Sequence, residues 1–282
     1  MLNPDPFHPG ERLVQERAGI LMPGAPIRDF MPDQHRDFFA GLPALFVGVA
    51  GHDGTPVATA LAGPPGFLHT PDATHLAIAA LPGDGDPAGE ALRPGALVGL
   101  LGLEFATRRR NRANGVLATR DQGGLVVDVL QSFGNCPKYI HSRIPQPGAE
   151  PGPAQALSGL DDPARALIGG ADTFFIATSS GPAGGEKGGV DMSHRGGPAG
   201  FVQVDGDRLI IPDFRGNRYF NTFGNLVLDN RAGLLFVDFP TGGLLHLQGR
   251  AIFDWGEAGV RNWSVDVERA WWRPGALGLG WA

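Results

Sequence analysis

The sequence repeats itself, and that restricts its fold more than any other feature. Gly63-Pro64-Pro65-Gly66-Phe67 returns as Gly197-Pro198-Ala199-Gly200-Phe201. Gly99-Leu100-Leu101, Phe105, Thr107 and Gly115 return as Gly233-Leu234-Leu235, Phe239, Thr241 and Gly249. Both blocks are displaced by the same 134 positions, and Val127-Asp128-Val129 is echoed by Val265-Asp266-Val267 at 138. Separated blocks that share one spacing indicate a tandem duplication, so one topology must be built twice.

The repeated unit reads as β. Leu45 to Ala50, Val57 to Leu61, Leu76 to Ala80, Ala96 to Phe105, Gly115 to Thr119 and Leu125 to Leu130 are short apolar or alternating runs. His52-Asp53-Gly54, Pro64-Pro65-Gly66, Pro82-Gly83 and Asp121-Gln122-Gly123-Gly124 separate them. Short strands at this spacing point to a barrel or sandwich. Helix is expected at Glu11 to Ala18, at Asp33 to Ala40 with Asp33 near its N-cap, and from Asp161 with Pro163 in its first turn. The expected organisation is an irregular, partly helical 1–40, a first unit 41–144, a Pro- and Gly-rich linker 145–160 and a second unit 161–282.

A net charge of −6 argues against a general nucleic-acid binder. Cys136 is the lone cysteine, so the chain holds no internal disulfide or multi-cysteine metal site. No signal peptide or membrane-length apolar run is visible, and a reducing, cytoplasmic setting is expected. The histidines form no metal-ligand spacing, so no metal is expected.

The chemistry concentrates in the second copy. Pro212 to Leu226 carries Arg215, Arg218, two glycines and three asparagines in what reads as a tight connection between apolar runs. Arginine forks onto phosphate, and glycine lets backbone approach a ligand. In register, Arg195 lies opposite Leu61 and Arg218 opposite Asp84. A solvated loop has little reason for that asymmetry; an anion site kept in one copy has one.

Ser193-His194-Arg195-Gly196-Gly197-Pro198-Ala199-Gly200-Phe201-Val202, Gly216-Asn217-Arg218, Asn230-Arg231-Ala232-Gly233-Leu234-Leu235-Phe236 and Leu247-Gln248-Gly249-Arg250-Ala251 resemble the pyridoxamine 5′-phosphate oxidase-related FMN-binding proteins. The likeness is strongest over about residues 170–255. It implies a mainly β fold of two tandem split β-barrel units with a few short helices. It also implies FMN as cofactor and an oxidoreductase using a small-molecule substrate or reduced nicotinamide. The family works as homodimers with FMN between subunits, so the two units form a pseudo-dimer within one chain, with further pairing left open. By position, Ser193, His194 and Arg195 fall on the first phosphate-binding strand, and Pro212 and Asp213 on the strand passing the flavin. Asn217, Arg218 and Tyr219 fall at the next phosphate contact, Tyr219 standing where the family has a second basic residue. Gln131 and Ser132 are expected to reach the flavin from the facing unit. The family's pyridoxal-phosphate-binding pattern has no counterpart near the C-terminus, which sets vitamin B6 oxidation aside. A non-catalytic flavin store, or a barrel binding F420 or haem, are the competing readings.

Other residues stay open. Arg108 to Arg112 is the densest basic run, read as a solvated hairpin tip or a second anion contact. Cys136 reads as structural, although Lys138 is near enough to activate a thiol. His246 reads as a hydrogen-bonded barrel histidine and Trp271-Trp272 as core or interface. Gly181 to Gly189 reads as a flexible hairpin insertion.

Overall fold

A computed structural model describes residues 5–134, 136–216, 218–256 and 259–282. The first sheet is built from β1 (Ala44–Ala50), β2 (Pro56–Ala62), β3 (Leu68–His69), β4 (His75–Ile78), β5 (Leu97–Glu104), β6 (Arg109–Asp121) and β7 (Gly124–Gly134). After β8 (Pro145–Pro147) and β9 (Gln155–Leu157), the second follows as β10 (Thr173–Ser179), β11 (Val190–Gly196), β12 (Gln203–Asp205), β13 (Arg208–Pro212), β14 (Arg231–Asp238), β15 (Gly243–Gly256) and β16 (Gly259–Arg273). β17 (Leu279–Trp281) closes the chain. The spatial orders are β2-β1-β5-β6-β7-β4-β3 and β11-β10-β14-β15-β16-β13-β12. Counted from the first strand of each unit, these are one order. The chain is two tandem split β-barrel units, as the repeat requires.

Each unit has its own core, and a third core lies between them. In β1, Leu45, Val47 and Val49 face the first barrel's interior, while Ala44 and Phe46 face the second unit. β10 divides likewise: Phe174 and Ile176 inward, Phe175 and Ala177 across. A strand covered on both faces must be apolar throughout, which explains Ala-Leu-Phe-Val-Gly-Val-Ala. Phe46 pairs with Leu101 and Phe175 with Leu235, so the two rings occupy equivalent positions. They stack on each other with centroids 3.7 Å apart and planes 14° from parallel. A pseudo-twofold axis therefore passes through this ring pair.

The same axis explains the paired glycines. A Cβ on Gly99 would lie 2.6 Å from the Val190 carbonyl oxygen, and one on Gly233 would lie 2.6 Å from that of Pro56. Val190 and Pro56 begin β11 and β2, which are equivalent strands. Each unit thus presses a glycine against the partner unit's second strand.

Four helices flank the sheets among the described residues: α1 (Pro9–Arg17), α2 (Asp33–Ala40), α3 (Asp162–Gly170) and α4 (Asn221–Leu228). Asp161 caps α3 by accepting from the Ala164 N–H at 2.9 Å. The N-cap of α2 is Pro32, with no side-chain cap, rather than Asp33. The expected connection Pro212 to Leu226 is half helix. Asn, Thr and Gly hid α4 from propensity, and Phe220 starts it from a left-handed φ of 63°. Two strands lie inside the expected linker: β8 pairs with β17, and β9 with β16. The Gly181 insertion folds as a 3₁₀ segment, Pro182–Lys187. Among the described residues no helix is long and apolar enough to cross a membrane.

Gly233→Ala should lower stability by about 1–3 kcal/mol, because the methyl has only backbone to displace. Gly169→Ala, with open space around its Cβ at the end of α3, should not lower it. Urea unfolding of both variants checks this.

Candidate functional site

A cavity of about 400 Å³ opens where the two units meet. β6 of the first unit supplies Arg110 and Arg112; β11 of the second supplies Ser193, His194, Arg195 and Gly196. Pro212, Asp213, Phe214, Arg215, Gly216 and Arg218 form one wall, the first turn of α4 another, and Cys136, Lys138 and Tyr139 complete the lining. A cavity of this size holds a mononucleotide-sized ligand.

The floor is a buried polar network. Arg112 Nη1 donates to Asp191 Oδ1 at 2.7 Å, and its Nη2 donates to Ser193 Oγ. Asn114 and Asn225 each donate to Asp191 at 2.9 Å, filling both carboxylate oxygens. Thr222 Oγ1 donates to Ser193 Oγ at 3.0 Å, tying α4 to β11. Arg195 Nη1 donates to Asp213 Oδ1 at 3.2 Å while its guanidinium lies 4.7 Å from the Phe223 ring centre. Breaking a buried pair such as Arg112–Asp191 costs about 3–5 kcal/mol, so the network is fixed before any ligand arrives.

The electrostatics follow from burial among like charges. Arg110 is pushed down to about 10, first by burial and then by Arg112. Burial also lowers Arg112 and Arg195, with Asp191 and Asp213 opposing the shift. Burial raises the Asp213 carboxyl against the pull of Arg195. Arg110 Nη1 meets His194 Nδ1 at 3.0 Å. Arginine can only donate, so Nδ1 accepts and the ring hydrogen sits on Nε2. Burial and the surrounding arginines hold His194 well below its ordinary value, so the ring is neutral near pH 7. His194 Nε2, Arg110 Nε and Arg112 Nε are buried without a hydrogen-bond partner.

The duplication supplies an internal control. Leu101 pairs with Arg112 and Leu235 with His246; Leu103 pairs with Arg110 and Val237 with Leu244. Phe46 pairs with Ala60 where Phe175 pairs with His194. The twofold-related place therefore has His246, Leu244 and Ala60 for Arg112, Arg110 and His194. It is closed by its own contacts: Thr59 Oγ1 donates to Asp86 Oδ2 at 2.6 Å, and Arg273 Nη1 donates to the same oxygen at 2.7 Å. His246 lies beside the Ala58 carbonyl at 2.9 Å. Structural residues recur in both copies, and the cationic set, drawn from both units, gathers at one of the two twofold-related places.

Of the residues expected at a site, the cavity gathers Ser193, His194, Arg195, Pro212, Asp213 and Arg218. Strand alternation does turn His194 away from Ser193 and Arg195, toward Phe175, yet the cavity wraps around both faces of β11. Tyr219 is half-buried and packs edge-on to Phe7 at 5.7 Å rather than on the lining. Gln131 lines a separate cavity of about 40 Å³ with His8, Glu11 and Asp191. Ser132 is buried with its Oγ 2.8 Å from His35 Nδ1. Asn217 lies outside the described residues. Arg108 and Arg109 are exposed at a hairpin, but Arg110 and Arg112 turn inward, so only half of that basic run is solvated. Cys136 and Lys138 also line the cavity. Asp191, Asn225 and Glu11 are not marked as site residues by the sequence, because acidic and amide residues scattered over distant segments carry no local signal. Among the described residues no group of His, Cys, Asp and Glu is placed to hold a metal ion.

Glu11 underlies the network. α1 crosses α4 where a Cβ on Gly10 would lie 2.0 Å from the Gly224 carbonyl oxygen. That approach carries Glu11 inside, where Asn221 Nδ2 donates to its Oε1 at 2.6 Å and the His8 N–H to its Oε2 at 3.0 Å. Burial, and then the Asp191 charge, push its carboxyl up to about 8.

No family model matches the sequence, and no curated protein matches it. Among solved structures, a HupZ protein from Group A Streptococcus aligns at 16% identity, covering 39% of this chain and 97% of that one, with a TM-score of 0.30. A Bacteroides thetaiotaomicron protein named for 5-nitroimidazole antibiotic resistance aligns at 11% identity, covering 44% and 92%, with a TM-score of 0.27. Likenesses this distant add nothing to what the chain's own geometry says.

The raised Glu11 value has a signed consequence. The folded chain keeps a proton that the unfolded chain releases near 4.5, so stability falls as pH rises from about 4.5 to about 8 and then levels off. Glu11→Gln lacks that slope. Its stability should gain on the wild type across this window, by up to a few kcal/mol, in melting curves taken from pH 5 to 9. A stability difference independent of pH would mean that Glu11 is ionised in the fold.

Proposed function

We propose that the chain binds FMN in the cavity between its units, one flavin per chain, and acts as an FMN-dependent oxidoreductase. The observation that carries this is the cationic cavity on one side of the pseudo-twofold and, on the other, a closed place whose Asp86–Arg273 pair leaves no surplus charge. The lining suits each part of the cofactor. Arg112, Ser193, Arg195, Thr222 and Arg218 supply the charge and hydroxyls that hold a phosphate monoester. Leu101, Ile211, Pro212, Phe214 and Phe220 give the apolar walls that a flat ring system needs. Arg110 and His194 add polar side chains to that lining, beside the ring's polar edge or its ribityl chain.

Bound there, the flavin would supply hydride chemistry. The chain's own work is to bind, orient and tune. Neutral His194 offers a hydrogen bond without adding charge. Arg110 and Arg112 favour any negative charge that gathers beside them, and burial makes that effect larger than it would be in water. Asp191, held by Arg112, Asn114 and Asn225, keeps the arginine from turning away when the cavity is empty.

Purified protein mixed with FMN should show flavin absorption that remains after desalting; a haem-type spectrum instead would replace FMN with that ligand. Arg218→Glu should weaken FMN binding tenfold or more, since losing a charge-assisted contact costs roughly 1.5–3 kcal/mol and repulsion adds to it. Asp84→Arg, in the first unit, should leave FMN affinity unchanged. Fluorescence titration measures both; equal affinity in Arg218→Glu removes that residue from the phosphate site.

A further inference from the structure

The flavin reading leaves charge unused. The cavity lining carries six cationic side chains, against Asp213 on the lining and Asp191 beneath it. That is a surplus of four positive charges, of which a phosphate monoester takes about two. Among the described residues, some arginines elsewhere hold a carboxylate, among them Arg12, Arg143, Arg208, Arg231 and Arg250, and others, such as Arg93 and Arg120, do not. The two cations at the cavity's outer edge belong to the second kind. Lys138 and Arg215 are exposed, and among the described residues no carboxylate pairs with either. In a chain of net charge −6, these unpaired cations add to a cavity that already carries surplus positive charge.

The same rim has an aromatic face. Tyr139 is 40% exposed and stacks on Phe214, with centroids 5.5 Å apart and planes at 28°. Its hydroxyl donates to the Arg215 carbonyl at 3.4 Å, which joins the first unit's segment to the second unit's wall. Tyr139 sits at a φ of 64°, a conformation a bulky side chain adopts only when its surroundings hold it there. A presented aromatic ring beside free cations is the chemistry that receives a base and a phosphate together.

We infer that Lys138, Tyr139, Phe214 and Arg215 form a second subsite at the mouth of the cavity. It takes a phosphate-rich nucleotide, and it favours a pyridine nucleotide bearing a 2′-phosphate over one without. This rests on the flavin reading, which assigns the inner cations to the first phosphate. The inner arginines then orient the cofactor, and the rim selects what approaches it. The preference is electrostatic, so added salt narrows it.

The test uses FMN-loaded protein and calorimetric titration with NADP+ and with NAD+. NADP+ should bind at least tenfold tighter at low salt. A Lys138→Ala, Arg215→Ala double variant should bind the two with similar affinity, while its own FMN titration matches that of the wild type. Equal affinities in the wild type overturn the inference. So does a double variant whose FMN affinity falls as far as its NADP+ affinity, because the rim would then be serving the first phosphate. A wild-type protein that takes up no FMN is a different result: it overturns the flavin reading, and the rim's role as a second subsite goes with it.

Discussion

The closeness of the two units is the constraint on which everything else depends. Two sheets pack back to back only where side chains allow it, and here Gly99 and Gly233 bring backbone against backbone on either side of the Phe46–Phe175 stack. That approach brings β6 of one unit beside β11 of the other, where Arg112 reaches Ser193 and Asp191. Loosened by the width of a methyl group, the two strands could not share those hydrogen bonds. The polar floor is thus a product of apolar packing some distance away.

A symmetric scaffold offers two equivalent places, and this chain treats them differently. One holds arginines, a neutral histidine and orphan donors around an open volume. The other is shut by Thr59, Asp86 and Arg273, which satisfy one another. Both arrangements neutralise buried charge, by opposite routes. At the closed place Thr59, Asp86 and Arg273 satisfy one another, while His246 Nε2 stays unpaired. At the open place three buried nitrogens, on His194, Arg110 and Arg112, stay unpaired.

Much of this was legible in the sequence. The 134-residue repeat announced one topology built twice, and strand order bears that out. Apolar runs marked β1, β2, β5 and β7 closely, because a strand buried on both faces admits few polar residues. The asymmetry of Arg195 against Leu61 pointed to the second unit's share of the cationic lining and not to Arg110, Arg112 and Lys138 of the first. α4 escaped because its residues favour turns and its helicity comes from packing against α1 and β10. Glu11 escaped because nothing near it in sequence tells that Gly10 and Gly224 will draw it inside.

By itself, then, the sequence determined the fold class and the duplication. Those are matters of local pattern and of comparing one half with the other. Only the tertiary structure decided that Arg110 and Arg112, read as much as a solvated turn as a contact, form the floor of a cavity owned by the opposite unit. It alone separated Gln131 and Ser132 from that cavity. The physical reason is that burial and pairing across the pseudo-twofold join residues about eighty positions apart, and no periodicity along the chain encodes which of them will meet.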